Sequence, residues 1–450
     1  MVMRSHLFPA LAIAAVVSGM AACAAEDATV VPRPTADAPL ATKALVTSGG
    51  GFDFSPLASS AVCTSGGSAT LPFVLPAGIG QTIVASEPDF ADVPDMSTQN
   101  ESGVASGRYL YRAHENGSNA SVSVTDLLTG ASKTIAQRID WESLDPITWT
   151  PWGSLLVAEE TNAATRRDPD YPQAVAGLVY ELFLDAADPT VVTQIVARPA
   201  IGSKSHEGMR FDPQGNLYSI SERTPGYLFR FVPDRPGDLS SGRTYVLKVT
   251  QPTGDRTGAA AWVALDRAAV EIDASAAADR VQATGYGRPE DVEIATSTGN
   301  NHGGANVMYV AITSEHRVLE IDLREPNGGA EHATAFITDY VSRGNNATTE
   351  FEMPDNLALN RNGNLYITED PGGSFSSGKR KGDDIWVAAP NRGGQHQASP
   401  SVSRFASLTD CDAEPTGIYF DKKSSRLFVN VQHRGGDRLD KVVALDEGSN

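Results

Sequence analysis

One phrase returns along the chain: a polar turn closing on glycine or asparagine, a short apolar strand, then an acidic or amide residue. Residues 211–222 are one copy, and 359–370 are nearly superimposable on them. Residues 420–432 form a third; 107–115, 150–160 and 306–315 are looser copies. Further alternating stretches follow at 178–184, 227–232, 317–323 and 384–387. Successive side chains on a strand point to opposite faces. Alternation punctuated by Gly, Pro, Asn and Asp therefore predicts antiparallel hairpins. Helical spacing is almost absent, with 266–280 the best short helix candidate.

Six copies of one sheet unit predict an all-β fold, a six-bladed β-propeller with a central metal-binding channel. A sandwich or barrel of this length would not explain the repeat. The uneven spacing points to long insertions, chiefly 231–285.

The start of the chain reads as an export signal. Arg4 opens it, and 7–20 is apolar apart from Pro9, Ser18 and Gly19, too short to span a bilayer. Met20-Ala21-Ala22-Cys23 follows and is similar to the lipobox of a bacterial lipoprotein. Two outcomes stand: a lipid on Cys23, or plain cleavage and secretion. Residues 24–50, rich in Ala, Thr, Pro and Val, read as a flexible tether, which leaves 51–450 for the propeller. The expected location is periplasm, outer membrane or cell surface. The only membrane contact foreseen is that lipid. Export allows Cys63 and Cys411 to pair as a staple near the two ends of the folded part, or to stand as separate buried thiols.

Charge narrows the partners. The 450 residues carry Lys+Arg 36 against Asp+Glu 55, a net charge of −19. Binding a phosphate backbone needs a basic face, so nucleic acid is excluded as a partner. Three cysteines exclude a four-cysteine zinc site. No G-x-S-x-G, Walker or G-x-G-x-x-G phrase supports a serine hydrolase, kinase or dinucleotide enzyme. A monomer acting on a small molecule is expected.

The acidic residues are not scattered. Asp145, Glu207 and Asp355 each lie ten residues before the first leucine of a strand, Leu155, Leu217 and Leu365. Glu414 precedes Leu427 by 13, and Glu290 precedes Val307 by 17. Equivalent positions in a propeller point into the channel, so these carboxylates are expected to form a ring. Clustered oxygen ligands suit Ca²⁺, a hard cation taking six to eight of them. The bland alternative is that Asp and Glu merely cap turns.

The ordered phrases resemble those of the PhoX-type alkaline phosphatases. Thr150-Pro151-Trp152-Gly153 with Ala158-Glu159-Glu160 is similar to the family's T-P-W-G and C-E-E, and His206-Glu207-Gly208 to its H-E-G. Arg288-Pro289-Glu290, Pro354-Asp355-Asn356-Leu357 and Glu414-Pro415-Thr416-Gly417 resemble R-P-E, P-D-G-L and E-x-T-G. Residues 427–433 resemble L-F-V-N-x-Q-H, and His114-Glu115 fits an early N-H-E. The resemblance implies a six-bladed propeller, export, Ca²⁺ beside a two-iron centre, and hydrolysis of phosphate monoesters at alkaline pH. Carried over residue by residue, it makes Glu159, Glu160, Glu207, Glu290, Asp355 and Glu414 metal ligands. Arg288 becomes a phosphate contact, or a salt-bridge partner on the bland reading. His206 becomes a proton carrier or a structural support.

Two positions depart from the family. Ala158 stands where the family has a cysteine that ligates iron, and alanine has no ligating atom. Asn356 replaces a glycine. Ca²⁺ is thus the expected cofactor, and iron lacks its thiolate. Two other readings stay open. One is a non-catalytic calcium-binding surface propeller. The other is a calcium-dependent lactonase or esterase, since 354–370 also resembles gluconolactonase-like propellers.

Overall fold

A computed structural model describes residues 52–295, 306–324, 333–370, 381–390, 399–422, 425–433 and 439–447. The expected signal segment, Cys23 and the 24–50 tether lie outside these residues.

The chain is mostly β and propeller-like. Six strands form a closed ring in which each packs on the next and the last returns to the first: Pro94–Gln99, Leu144–Trp149, His206–Phe211, Pro289–Ala295, Pro354–Leu359 and Ala413–Phe420. Each of these inner strands opens a run of antiparallel strands leading outward. Burial falls along each run. Pro94–Gln99 and Leu144–Trp149 are buried throughout, whereas the outer strands Ser132–Gln137 and Val192–Ala197 are half-buried to exposed, apart from Ala136. The repeated phrase in the sequence is the second strand of each run, as in Leu155–Glu159, Leu217–Ser221 and Leu365–Glu369, which are buried on both faces.

Apolar side chains fill the spaces between sheets. Tyr111, Trp141, Trp149, Tyr180 and Leu182 make one such layer. Tyr218, Trp262, Tyr286 and Met308 make another. Close approach at the axis demands glycine at two positions. A Cβ on Gly208 would come within 2.2 Å of Asp291 Oδ1, and one on Gly417, at φ +57°, within 2.2 Å of the Asp95 carbonyl. These are the glycines of the H-E-G and E-P-T-G phrases.

The 231–285 region holds the long strand Asp238–Pro252, the strand Gly258–Ala264 and the helix Arg267–Arg280. Gly258–Ala264 also pairs with Thr334–Ser342, which fuses two runs into one nine-stranded sheet. The helix is the one α-helix among the described residues and falls at the expected place. Asp266 caps it by accepting from Ala269 N. It bends at Asp273, where Ala274 N donates to the Ser203 carbonyl instead of staying in the helical ladder.

The ring closes through the N-terminal side of the fold. Ile79–Ser86 pairs with Lys441–Glu447 and completes the sheet built by the last three strands. Phe73–Val74 joins Ser401–Leu408. Phe52 is buried at 5.4 Å from the Phe405 ring, beside Tyr366 and Phe420. Cys63 and Cys411 are disulfide-bonded across a sequence separation of 348, so the staple and not the pair of separate thiols is realised. Beside it, His433 lies between Asp410 and Asp440 at 3.1 and 2.9 Å. Burial pulls its pKa down, but the two carboxylates prevail and hold it at about 9.

A link over so long a stretch restricts the unfolded chain strongly. Replacing both cysteines by serine is expected to lower stability by about 2–4 kcal/mol. Urea unfolding of the oxidised protein and the double variant measures it. An unchanged midpoint would mean that strand pairing alone holds the seam.

Candidate metal centre

The second residue of every inner strand is acidic: Asp95, Asp145, Glu207, Glu290, Asp355 and Glu414. The local backbone explains why they converge. In the first five of these strands, pairing slips immediately around the acid, between Pro94 and Ser97, Leu144 and Ile147, His206 and Met209, Pro289 and Val292, and Pro354 and Leu357. Such a bulge turns a side chain out of the regular alternation. In four strands the preceding residue is left-handed: Val93, Ser143, Arg288 and Met353, at φ 48, 47, 50 and 45°. That is strained backbone for side chains of this size, and strain of this kind gathers at functional sites.

A second tier is bonded to the first by one repeated main-chain contact. The amides of Glu115, Glu160, Glu222, Thr313 and Asp370 donate to the carbonyls of Val93, Ser143, Ser205, Arg288 and Met353, at 2.7–3.1 Å. Four of these five residues are acidic. Where Thr313 breaks the series, Arg288 is the charged side chain.

The two tiers enclose a cavity of about 220 Å³. Ten carboxylates line it (Asp95, Glu115, Asp145, Glu160, Glu207, Glu222, Glu290, Asp355, Asp370 and Glu414), with Arg288 and Thr416. Oxygens of Asp95, Glu115 and Asp145 lie within 4.8 Å of one another, as do those of Asp145, Glu160 and Glu207. That span matches two oxygens on opposite sides of a cation at roughly 2.4 Å each.

The electrostatics are severe. Burial raises the pKa of Asp145, Glu160, Glu207, Glu290 and Asp355 well above the carboxylate range. Acidic neighbours push in the same direction. Among the described residues that line the cavity, Arg288 is the lone cation. Its Nε meets Glu222 at 2.7 Å, Nη1 meets Asp370 at 3.0 Å and Nη2 meets Glu290 at 2.8 Å. Burial opposes its charge, but these three carboxylates outweigh it and raise its pKa.

The donor set suits hard cations. It is all oxygen, and Asp145 Oδ1 is buried with no hydrogen-bond partner. It does not fit an iron centre that needs a thiolate at 158. Ala158 is fully buried in an apolar cluster with Leu156, Val179, Ile201 and Met209.

Of the residues singled out from sequence, Glu160, Glu207, Glu290, Asp355, Glu414 and Arg288 meet in this cavity. Glu159 and His206 do not. The Glu159 carboxylate accepts from the amides of Glu142 and Leu178, both at 3.0 Å, so it supports the chain behind the site. Successive residues on a strand face opposite ways, so only one member of the Glu159-Glu160 pair reaches the axis. His206 Nε2 meets the Gly202 carbonyl at 3.0 Å, and burial together with Lys204 pushes its pKa well down. Its ring is buried and lies outside the cavity lining.

Asp95, Glu222 and Asp370 line the cavity without having been singled out from sequence, whereas Asp145 was marked by its offset and Glu115 by its phrase without being carried over as ligands. Val93-Pro94-Asp95 repeats the Pro-acid pair of 289–290 and 354–355, a signal that would have found it. Gln432 reaches the site: its Nε2 donates to Glu115 at 2.8 Å and Asp95 at 3.2 Å.

The model of the family described as alkaline phosphatase PhoX matches residues 148–435. The chain belongs to the PhoX alkaline phosphatase family. The match begins beyond Asp95, Glu115 and Asp145, three residues that the structure places in the same cavity. The fold is that of Pseudomonas fluorescens PhoX, solved in complex with vanadate, a transition-state analogue. The TM-score is 0.64 at 17% identity, over 88% of this chain and 98% of that one. A gluconolactonase from Xanthomonas campestris aligns with 87% of this chain and 100% of its own at 11% identity, but its TM-score of 0.46 supports no argument. No curated protein matches the chain in sequence.

The raised carboxyl groups bind protons more tightly in the folded than in the unfolded chain. Without cations, stability is therefore greatest in acid and falls as pH rises above about 4, the ordinary carboxylate range. For Glu159, raised to about 8 by burial against two opposing amides, the loss extends to that pH. Thermal unfolding in chelator is expected to show a melting temperature that drops from pH 5 to pH 8. Divalent cations should flatten the drop, because they bind only the folded site. A flat profile in chelator would contradict the crowding of the cavity.

Proposed function

We propose that this chain is an exported six-bladed propeller whose axial cavity holds Ca²⁺ and hydrolyses small phosphate monoesters. The observation that carries the reading is the acid at one matched position in all six inner strands, facing a single arginine. Membership of an alkaline phosphatase family and the fold shared with a vanadate-bound PhoX support it. Export, lipid attachment at Cys23, a tether over 24–50 and a monomeric propeller over 51–450 are part of the proposal.

Calcium ions bound there would supply Lewis-acid stabilisation of charge building on a phosphoryl group. The residues that hold them are Glu160, Glu207, Glu290, Asp355 and Glu414, with Asp95, Glu115 and Asp145. Arg288 contributes directional donors. A guanidinium has five N–H groups, and its three ion pairs occupy one each, leaving two for a phosphoryl oxygen. Those ion pairs also fix its plane before substrate arrives, so little entropy is lost on binding. Partial burial of the acids lowers the local dielectric and strengthens charge interactions within the site.

The second reading, a calcium-binding propeller without catalysis, is favoured by one observation: Ala158 removes the family's thiolate. Hydrolysis of p-nitrophenyl phosphate by residues 51–450, over pH 7–10, separates the two. Activity is expected to require Ca²⁺, to vanish in excess chelator and to be inhibited by vanadate. Glu207→Gln should lose at least about 100-fold in kcat/KM, and Arg288→Met about 100- to 1000-fold in kcat. A folded, calcium-loaded protein with no activity would overturn the phosphatase reading and leave the non-catalytic one. Lactone hydrolysis by that protein would point to the lactonase. Radiolabelled palmitate should label the full chain and not Cys23→Ser; equal labelling would refute lipidation there.

A further inference from the structure

The residue after each cavity acid is the third of its inner strand, and two of these reach across to the next strand. Asp291 Oδ2 accepts from Leu357 N at 2.9 Å, and Asn356 Oδ1 accepts from Gly417 N at 2.5 Å. Asn356 also acts on its own neighbour: its Nδ2 donates to Asp355 Oδ1 at 3.0 Å. The side chain is buried, 2% exposed, and its backbone amide donates to Thr368 Oγ1 at 2.9 Å.

Asp355 needs such a partner. Asp95, Asp370, Glu414 and Asp291 all act against its charge, in addition to burial. Among the described residues, the one hydrogen-bond donor to its carboxylate is Asn356 Nδ2. Gly417, on the other side of the amide, lies three residues beyond Glu414 on the same strand. One side chain thus touches two of the cavity's carriers at once. A carboxylate here would keep the acceptor for Gly417 but lose the donor. A hydroxyl is too short to reach both. An amide has donor and acceptor together. In the family phrase that 354–357 resembles, this position is glycine, which does neither.

We infer that Asn356 is a positioning residue of the cation site, fixing the Asp355 carboxylate with its amide N–H while its carbonyl clamps the strand that presents Glu414. The inference rests on reading the cavity as a calcium site. It assigns Asn356 no contact with substrate.

The test uses the metal-stripped wild type, Asn356→Gly and Thr368→Val. Thr368→Val removes the backbone contact to Asn356 without touching either carboxylate. Calorimetric titration gives the Ca²⁺ dissociation constant. The luminescence lifetime of bound Tb³⁺ reports how many waters complete its shell. Asn356→Gly is expected to weaken Ca²⁺ by about 10- to 100-fold, as loss of an outer partner of a ligand does. It should also shorten the Tb³⁺ lifetime, because water replaces a displaced carboxylate oxygen. Thr368→Val should melt earlier yet keep the wild-type affinity and lifetime. If Asn356→Gly fails to fold, Asn356→Asp is the second variant, with the Gly417 acceptor kept and the donor lost; a shortened lifetime is expected there too. Wild-type affinity and lifetime in a folded Asn356 variant would overturn this inference alone. A wild type that takes up no Ca²⁺ would overturn it together with the calcium reading.

Discussion

Repulsion among carboxylates at the axis is the constraint on which the rest depends. Ten of them line about 220 Å³ with one guanidinium between them. No chain brings that many like charges together for stability's sake, since burying an unpaired charge opposes folding strongly. The arrangement holds only if the backbone that presents the acids is over-determined, and the geometry has that character. Bulges, left-handed residues and the repeated amide-to-carbonyl contact recur from sheet to sheet. Each fixes a backbone angle or a side-chain direction that local preference alone would not choose.

Closure of the ring answers the same constraint. Six inner strands pushed apart at one end must be tied around the circumference. The last sheet borrows Ile79–Ser86 from the start of the folded part. The Cys63–Cys411 bond and the doubly bonded His433 lie at that seam. Asp440, one of the two partners of His433, also accepts from Val93 N at 2.8 Å, two residues from Asp95. The seam and the cavity are therefore joined by a short chain of hydrogen bonds. Thr416 adds a further tie, donating to the Pro94 carbonyl at 3.0 Å.

Arg288 shows how one side chain takes a place in this balance. It stands where the second tier has threonine in place of an acid, and its three ion pairs reach acids of three successive runs: Glu222, Glu290 and Asp370. Structural salt bridge and phosphate contact, set as alternatives on sequence grounds, are compatible in one guanidinium. The carboxylates orient it, and under the proposed function its remaining donors would serve the phosphoryl group.

Much of this was legible in the sequence. The recurring turn–strand phrase predicts an all-β repeat because each second strand is buried on both faces and so must be apolar. The fixed offset of Asp145, Glu207 and Asp355 from those strands marks them as equivalent, since a constant hairpin length carries one residue per sheet to the same place. Asp95 escaped, as its own second strand begins at Tyr109, beyond a longer loop that breaks the offset. What only the tertiary structure decided is which way each polar side chain faces. Glu159 and Glu160 are adjacent and chemically identical, yet one binds backbone amides and the other enters the cavity. His206 and Glu207 divide in the same way. A strand's alternation separates neighbours onto opposite faces, and the sheet's place around the axis determines which face is the channel. The chain alone specifies acids in step; convergence of six strands turns them into a site.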